Sequence, residues 1–267
     1  QQRHGDVLRG SLVDQQRAVL RRNGSEDHFR AQRCGVVQVA GKVGGIGREG
    51  FGYHGAAQRR LTAAIETLED DEGPDAVALL VARTANLGFN RTFDEMRDLG
   101  LRTVVAARRV EDLALRASAI GVAAMGCAFA GDADRALGLR DEAAALVDAL
   151  ADEQLGTRLE AVGHLCAAEL YLDRYESSAA HAARGVRIGR ATGQSGLAPM
   201  LLPCLGTSMW VLGRLEESIA VFDEAAESAR LARQEQALVW ALLNLALPLV
   251  LAGDVDTALR CAREAVD

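Results

Sequence analysis

One recurrence limits the folds open to this chain more than any other feature. From residue 61 onward, apolar helical stretches are broken by short turns, and Arg91, Gly131, Asp173, Gly213 and Gly253 hold equivalent places in those turns. Their separations are 40, 42, 40 and 40 residues. Each turn follows an apolar stretch and precedes a more charged one, which is the pattern of a two-helix unit repeated in tandem. A single unit of this kind cannot bury its apolar face, so the units must stack on one another.

Columns that played no part in setting the alignment agree with it. Seven residues before the turn stand Thr84, Ala124, Cys166, Gly206 and Ala246, and twelve after it stand Thr103, Ala143, Gly185, Ala225 and Ala265. All ten are small. Antiparallel helices approach to about 8–10 Å, and small side chains are needed where their ridges cross. Five after the turn come Met96, Ala136, Ser178, Ser218 and Ala258; two after it come Phe93, Ala133, Tyr175, Leu215 and Val255, mostly larger side chains that pack over the bend. The pattern predicts an all-α fold over residues 61–267, a right-handed superhelix of about five antiparallel helical hairpins with a period near 40 residues.

Composition supports helices and narrows the partners. Hydrophobic residues form 49% of the chain and aromatics only 4%, so the apolar content is mainly Ala, Leu and Val. All but one of the 30 basic residues are arginine, Lys42 being the exception, as expected of a GC-rich genome. The net charge of −7 is unevenly placed: residues 1–60 sum to +6 and residues 61–267 to −13. The acidic body repels a phosphate backbone. Five cysteines without paired spacing argue against both a zinc site and a disulfide framework, and fit a reducing cytoplasm. The apolar run Ala237–Gly253 contains Asn244 and Pro248 and is short and polar for a membrane span. No membrane association is expected.

The segments "GRLEESIAVFDEAAESA" from Gly213 and "GDVDTALRCAREAV" from Gly253 resemble the second half of a tetratricopeptide repeat, a likeness that covers roughly residues 78–267. The period of about 40 departs from the family's 34, and the proline that often closes such a repeat is absent from these positions. Glu169–Gln194 and Met209–Leu231 also resemble the central sensor region of large ATP-binding LuxR-type, maltose-regulator-like transcription regulators of actinobacteria. That resemblance implies a P-loop ATPase before the repeats and a helix-turn-helix domain after them. DNA would then be reached only through a domain missing from this chain.

The ends read differently. Residues 1–60 are Gln- and Arg-rich at first and carry seven glycines between Gly41 and Gly55, the mark of a poorly ordered leader or an anomalous stretch of sequence. "GVVQVAGKVGGIG" fails as a phosphate loop: five residues instead of four separate Gly35 from Gly41, and Val43 stands where a Ser or Thr is required. Asp267 falls within the second helix of the last hairpin, so the chain reads as part of a longer protein or as one whose end a partner covers.

No set of residues with the spacing of a nucleophile, base and acid is present, and no enzymatic activity or cofactor is expected. His164 and Cys166, two apart on a helix, point in different directions and make no metal pair. The four cysteines beyond the leader read as small apolar fillers. The better candidate site is the inner, concave face, lined by the first helix of each hairpin. Aligned positions there hold Met125, Phe129, His164, Tyr171, Trp210 and Asn244, with Trp240 nearby, giving an apolar wall with a few polar groups. Leu243 and Leu247 beside Asn244 disfavour a carboxylate clamp for acidic peptide ends. A protein partner or small effector on this face is expected, with self-association also compatible. Two functions follow: a non-catalytic sensor segment of a LuxR-type regulator, or a stand-alone scaffold joining proteins.

Overall fold

The computed structural model describes residues 59–66, 73–89, 92–194, 198–231, 233 and 235–266. The expectations for the leader at 1–60 therefore fall outside the described residues, apart from Arg59 and Arg60, as does the turn residue Arg91. A short helical segment at 59–66 is followed by five pairs of helices: α1 (Pro74–Phe89) with α2 (Phe93–Ala107), α3 (Leu113–Phe129) with α4 (Ala133–Ala149), α6 (Glu160–Tyr171) with α7 (Tyr175–Thr192), α8 (Ala198–Val211) with α9 (Leu215–Leu231), and α10 (Glu235–Ala252) with α11 (Val255–Glu264). A single-turn helix, α5 (Asp152–Leu155), sits between the second and third pairs. There the repeat lengthens to 42 residues, and α6 is shorter than the other first helices. The described residues contain no strand, and the architecture is an all-α solenoid.

The turns that set the alignment share one backbone device. Gly131, Gly213 and Gly253 take φ of 80°, 82° and 90°, and Asp173 takes 57°. A left-handed residue ends a helix by turning the chain back on its last carbonyls, at least cost where there is no Cβ. The following N–H then reaches five residues back: Asp132 to Cys127 O, Arg174 to Glu169 O, Arg214 to Met209 O, and Asp254 to Leu249 O, at 2.8–2.9 Å. Thr92 makes the same bond to Leu87 O at 3.3 Å. Asp173 replaces glycine because a short acidic side chain tolerates this region; its carboxylate accepts the Tyr175 hydroxyl.

The small-residue columns lie where the helices cross. Thr84 and Thr103, seven before and twelve after the first turn, bring their hydroxyls within 3.4 Å. Ser178 Oγ donates to Cys166 O at 2.9 Å and Ser218 Oγ to Gly206 O at 2.8 Å, so the column five after the turn hydrogen-bonds the column seven before it. A Cβ on Gly206 would stand 2.7 Å from the Phe222 ring, which occupies that space.

The two helices of a hairpin bury different amounts of surface. Every residue of α3 from Ala117 to Cys127 and every residue of α6 from Ala161 to Glu169 is buried, because each first helix packs against its own partner and against both neighbouring layers. The second helices are amphipathic, and α4 buries only Ala136, Ala143 and Val147. Most helix starts carry acids, among them Asp94 and Glu95, Glu176, and Glu216 with Glu217, where the helix dipole favours negative charge. Among the described residues no helix is long and apolar enough to cross a membrane.

Candidate functional site

The sequence-predicted residues divide by exposure. Met125 and His164 are buried in the core. His164 Nδ1 lies 3.3 Å from Ser118 Oγ on α3, and burial holds its pKa down at about 4, so the ring is neutral at neutral pH. A Cβ on Gly121 would stand 3.2 Å from the His164 Cβ, which shows how closely α3 and α6 approach.

Phe129 and Tyr171 come together. They end α3 and α6, each two residues before its turn, and their rings meet edge to face at 4.5 Å. On the other side Phe129 meets Phe93, the first residue of α2, at 5.3 Å. Three aromatic rings thus run across three successive hairpins, each edge-to-face contact adding about 0.5–1.5 kcal/mol beyond its buried area. Tyr171 closes the row with 56% of its surface exposed. Burial of the rest raises its phenol pKa, with a further contribution from Cys204.

The tryptophans and Asn244 belong to the last two hairpins. Trp210 is half-buried against a second hydrophobic cluster formed by Leu202, Phe222, Leu242, Leu245 and their neighbours. Trp240 is 50% exposed on α10. Asn244 Nδ2 donates to Trp240 O within the same helix at 2.7 Å, so its amide is engaged locally. The four described cysteines are free and buried. Burial pushes the Cys127 thiol up to about 11 and raises that of Cys261, which fits apolar filling.

Sequence reasoning missed a polar cluster between the second and third hairpins. Glu169 is fully buried beneath the third turn. Its Oε1 accepts from Arg140 Nε of α4 at 3.1 Å, and its Oε2 accepts from His181 Nδ1 of α7 at 2.7 Å. Arg140 also donates to Ser177 Oγ and to Asp141, while His181 Nε2 lies 3.2 Å from Asp148 Oδ1. The signal was in the aligned columns. The place of Glu169 is taken elsewhere by Leu87, Cys127, Met209 and Leu249; that of Arg140 by Gly100, Ala182, Phe222 and Ala262; that of His181 by Leu99, Leu139, Val221 and Cys261.

A second missed regularity joins the outer helices. An arginine seventeen residues after one turn pairs with a glutamate eleven after the next in Arg108–Glu142, Arg190–Glu224 and Arg230–Glu264. At the remaining junction the signs reverse to Asp148 and Arg184. Arg184 instead binds Asp152 and donates to Val147 O and Leu150 O, closing the end of α4. Between α7 and α9 runs a groove of about 360 Å³, with Leu202 and Leu205 as its floor and Arg187, Arg190 and Glu224 on its rim.

No family model matches the sequence, and no curated protein matches it. Solved structures share the fold. A putative kinesin light chain from Podosopora anserina with nearly identical TPR-like repeats superposes with a TM-score of 0.54 at 15% identity, covering 74% of this chain and 95% of that one. BtubC (BKLC) from P. vanneervenii gives 0.55 at 13% identity over 82% and 89%. The architecture is therefore that of tetratricopeptide-like helical repeats.

Proposed function

We propose that this chain is a non-catalytic binding segment in which stacked hairpins hold a surface for an extended, apolar-rich segment of another protein. The observation that carries the reading is the aromatic row Phe93–Phe129–Tyr171, which crosses three hairpins and ends on an exposed ring. Packed aromatics lose little conformational entropy on binding and anchor interfaces for that reason. Trp210, Trp240 and Asn244 extend the proposed contact surface toward the last hairpins, while Met125 and His164 are buried in the core. Panning a random peptide library against the full chain tests this directly. Enriched peptides should lose at least tenfold in affinity for Tyr171→Ala, whose half-exposed ring can be removed without unfolding the stack. Enrichment of nothing, or of peptides indifferent to Tyr171→Ala and Trp240→Ala, would sink the reading.

The finer form of this proposal is a cytoplasmic sensor segment of a LuxR-type transcription regulator. Binding on the concave face would alter the curvature of the solenoid and so reach a DNA-binding domain outside this chain. What supports it is the resemblance of Glu169–Gln194 and Met209–Leu231 to that family's central region. Its test is the reading frame of the gene: a helix-turn-helix of about 60 residues beyond Asp267 supports the regulator. A stop codon there, with no ATPase motif upstream, leaves the stand-alone scaffold.

A further inference from the structure

The buried cluster at the second junction has a property that its apolar counterparts lack. Two carboxylates face one imidazole from opposite sides: Glu169 Oε2 of α6 at Nδ1, and Asp148 Oδ1 of α4 at Nε2. A carboxylate can only accept, so both contacts are hydrogen bonds only while both ring nitrogens carry protons. The geometry therefore suits an imidazolium. Burial pulls the His181 pKa down, but the hydrogen bonds and charges of Glu169 and Asp148 outweigh it and raise the pKa above its ordinary value.

The remaining charges around the ring are held by partners of their own. Arg140 of α4 shares Glu169 with the histidine and is itself held by Asp141 and Ser177. Arg184, nearly one turn along α7, is engaged with Asp152 and the carbonyls of Val147 and Leu150. When His181 gives up one proton, the remaining one stays on Nδ1 toward the fully buried Glu169, where an unmet carboxylate oxygen costs most. Nε2 then presents a lone pair to Asp148, and that link between α4 and α7 is lost. Arg140 and Arg184 keep the two hairpins joined.

We propose that His181, Glu169 and Asp148 form a proton-operated joint, which locks the third hairpin onto the end of α4 when the imidazole is charged and loosens that one edge when it is neutral. The sign follows from the raised folded-state value. The lock is complete below the unfolded histidine value of about 6.5 and is lost as pH rises through the higher folded value. A solenoid transmits curvature through nearest-neighbour contacts, so one loosened edge changes the angle between two layers without unfolding either. The joint operates whichever surface binds a partner.

Hydrogen exchange of the full chain between pH 6 and 9, corrected for intrinsic rates, tests the joint together with NMR titration of His181. Protection in the last turn of α4 and in α7 should fall roughly two- to fivefold through the His181 midpoint, the range expected for a partly exposed ion pair. Asp148→Asn, a change at a side chain 67% exposed, should fold normally and abolish that fall while leaving the first hairpin unaffected. His181→Gln should be insensitive to pH in the same segments. A midpoint at or below 6.5, flat wild-type protection, or an unchanged pH response in Asp148→Asn would overturn the proposal.

Discussion

The junction between the second and third hairpins and that between the fourth and fifth share one backbone register and have opposite chemistry. At the later junction the three equivalent columns hold Phe222, Leu249 and Cys261, all part of an apolar cluster. At the earlier one they hold Arg140, Glu169 and His181. Left-handed turns and small crossing residues are common to both. The hairpin geometry thus fixes where the layers touch, and the contact columns decide what kind of contact it is. Buried ion pairs add less net stability than apolar packing of equal volume, but removing one partner is costly, so the charged junction specifies its partners where the apolar one mainly adhesively packs.

The largest effects come from deleting the central side chain of each junction. Glu169→Ala leaves Arg140 and His181 facing each other without their carboxylate and should cost about 3–5 kcal/mol. Phe222→Ala should cost a similar amount, about 3–5 kcal/mol, through the cavity left in the second cluster. The two losses should part with pH in urea denaturation. The Glu169→Ala loss should be greater at pH 6 than at pH 8.5, because His181 is charged in the folded protein at the lower pH; the Phe222→Ala loss should be the same at both. Equal pH responses would erase the distinction between the junctions.

A smaller effect is expected from Gly206→Ala, which forces a methyl toward the Phe222 ring and should cost about 1–3 kcal/mol by overpacking. Pairing it with Phe222→Leu should recover part of that loss, and strict additivity would show that the two do not share space. The smallest effect belongs to the outer ladder. Arg230→Ala removes an ion pair whose two side chains are 41% and 46% exposed, and should cost less than about 1 kcal/mol and nothing measurable at 1 M salt. A loss as large as that of Glu169→Ala would mean that the ladder, not the buried columns, holds the layers.

Much of the fold was legible because its causes are local. A left-handed turn asks for glycine or a short acid, and a helix crossing asks for a small residue; both demands leave fixed spacings in the sequence. The candidate site was legible in part. Phe129 and Tyr171 share one aligned column, and the structure joins their rings, while the column of Phe93 shows only a side chain that packs over a turn. Met125 and His164 share helices with these residues, yet which of them reaches solvent depends on how far neighbouring layers wrap each first helix, and spacing within one helix carries no such information.

Sequence by itself determined the hairpin unit, its length, its turns and its crossing points, because each arises from contacts within some 25 residues. Only the tertiary structure decided which columns meet across a junction. Arg140, Glu169 and His181 lie on three different helices, and each alone is an ordinary polar residue in an amphipathic or helix-end position. Stacking brings them within hydrogen-bonding distance, and the two carboxylates that meet His181, Glu169 and Asp148, outweigh the effect of its burial and give it a reason to hold its proton.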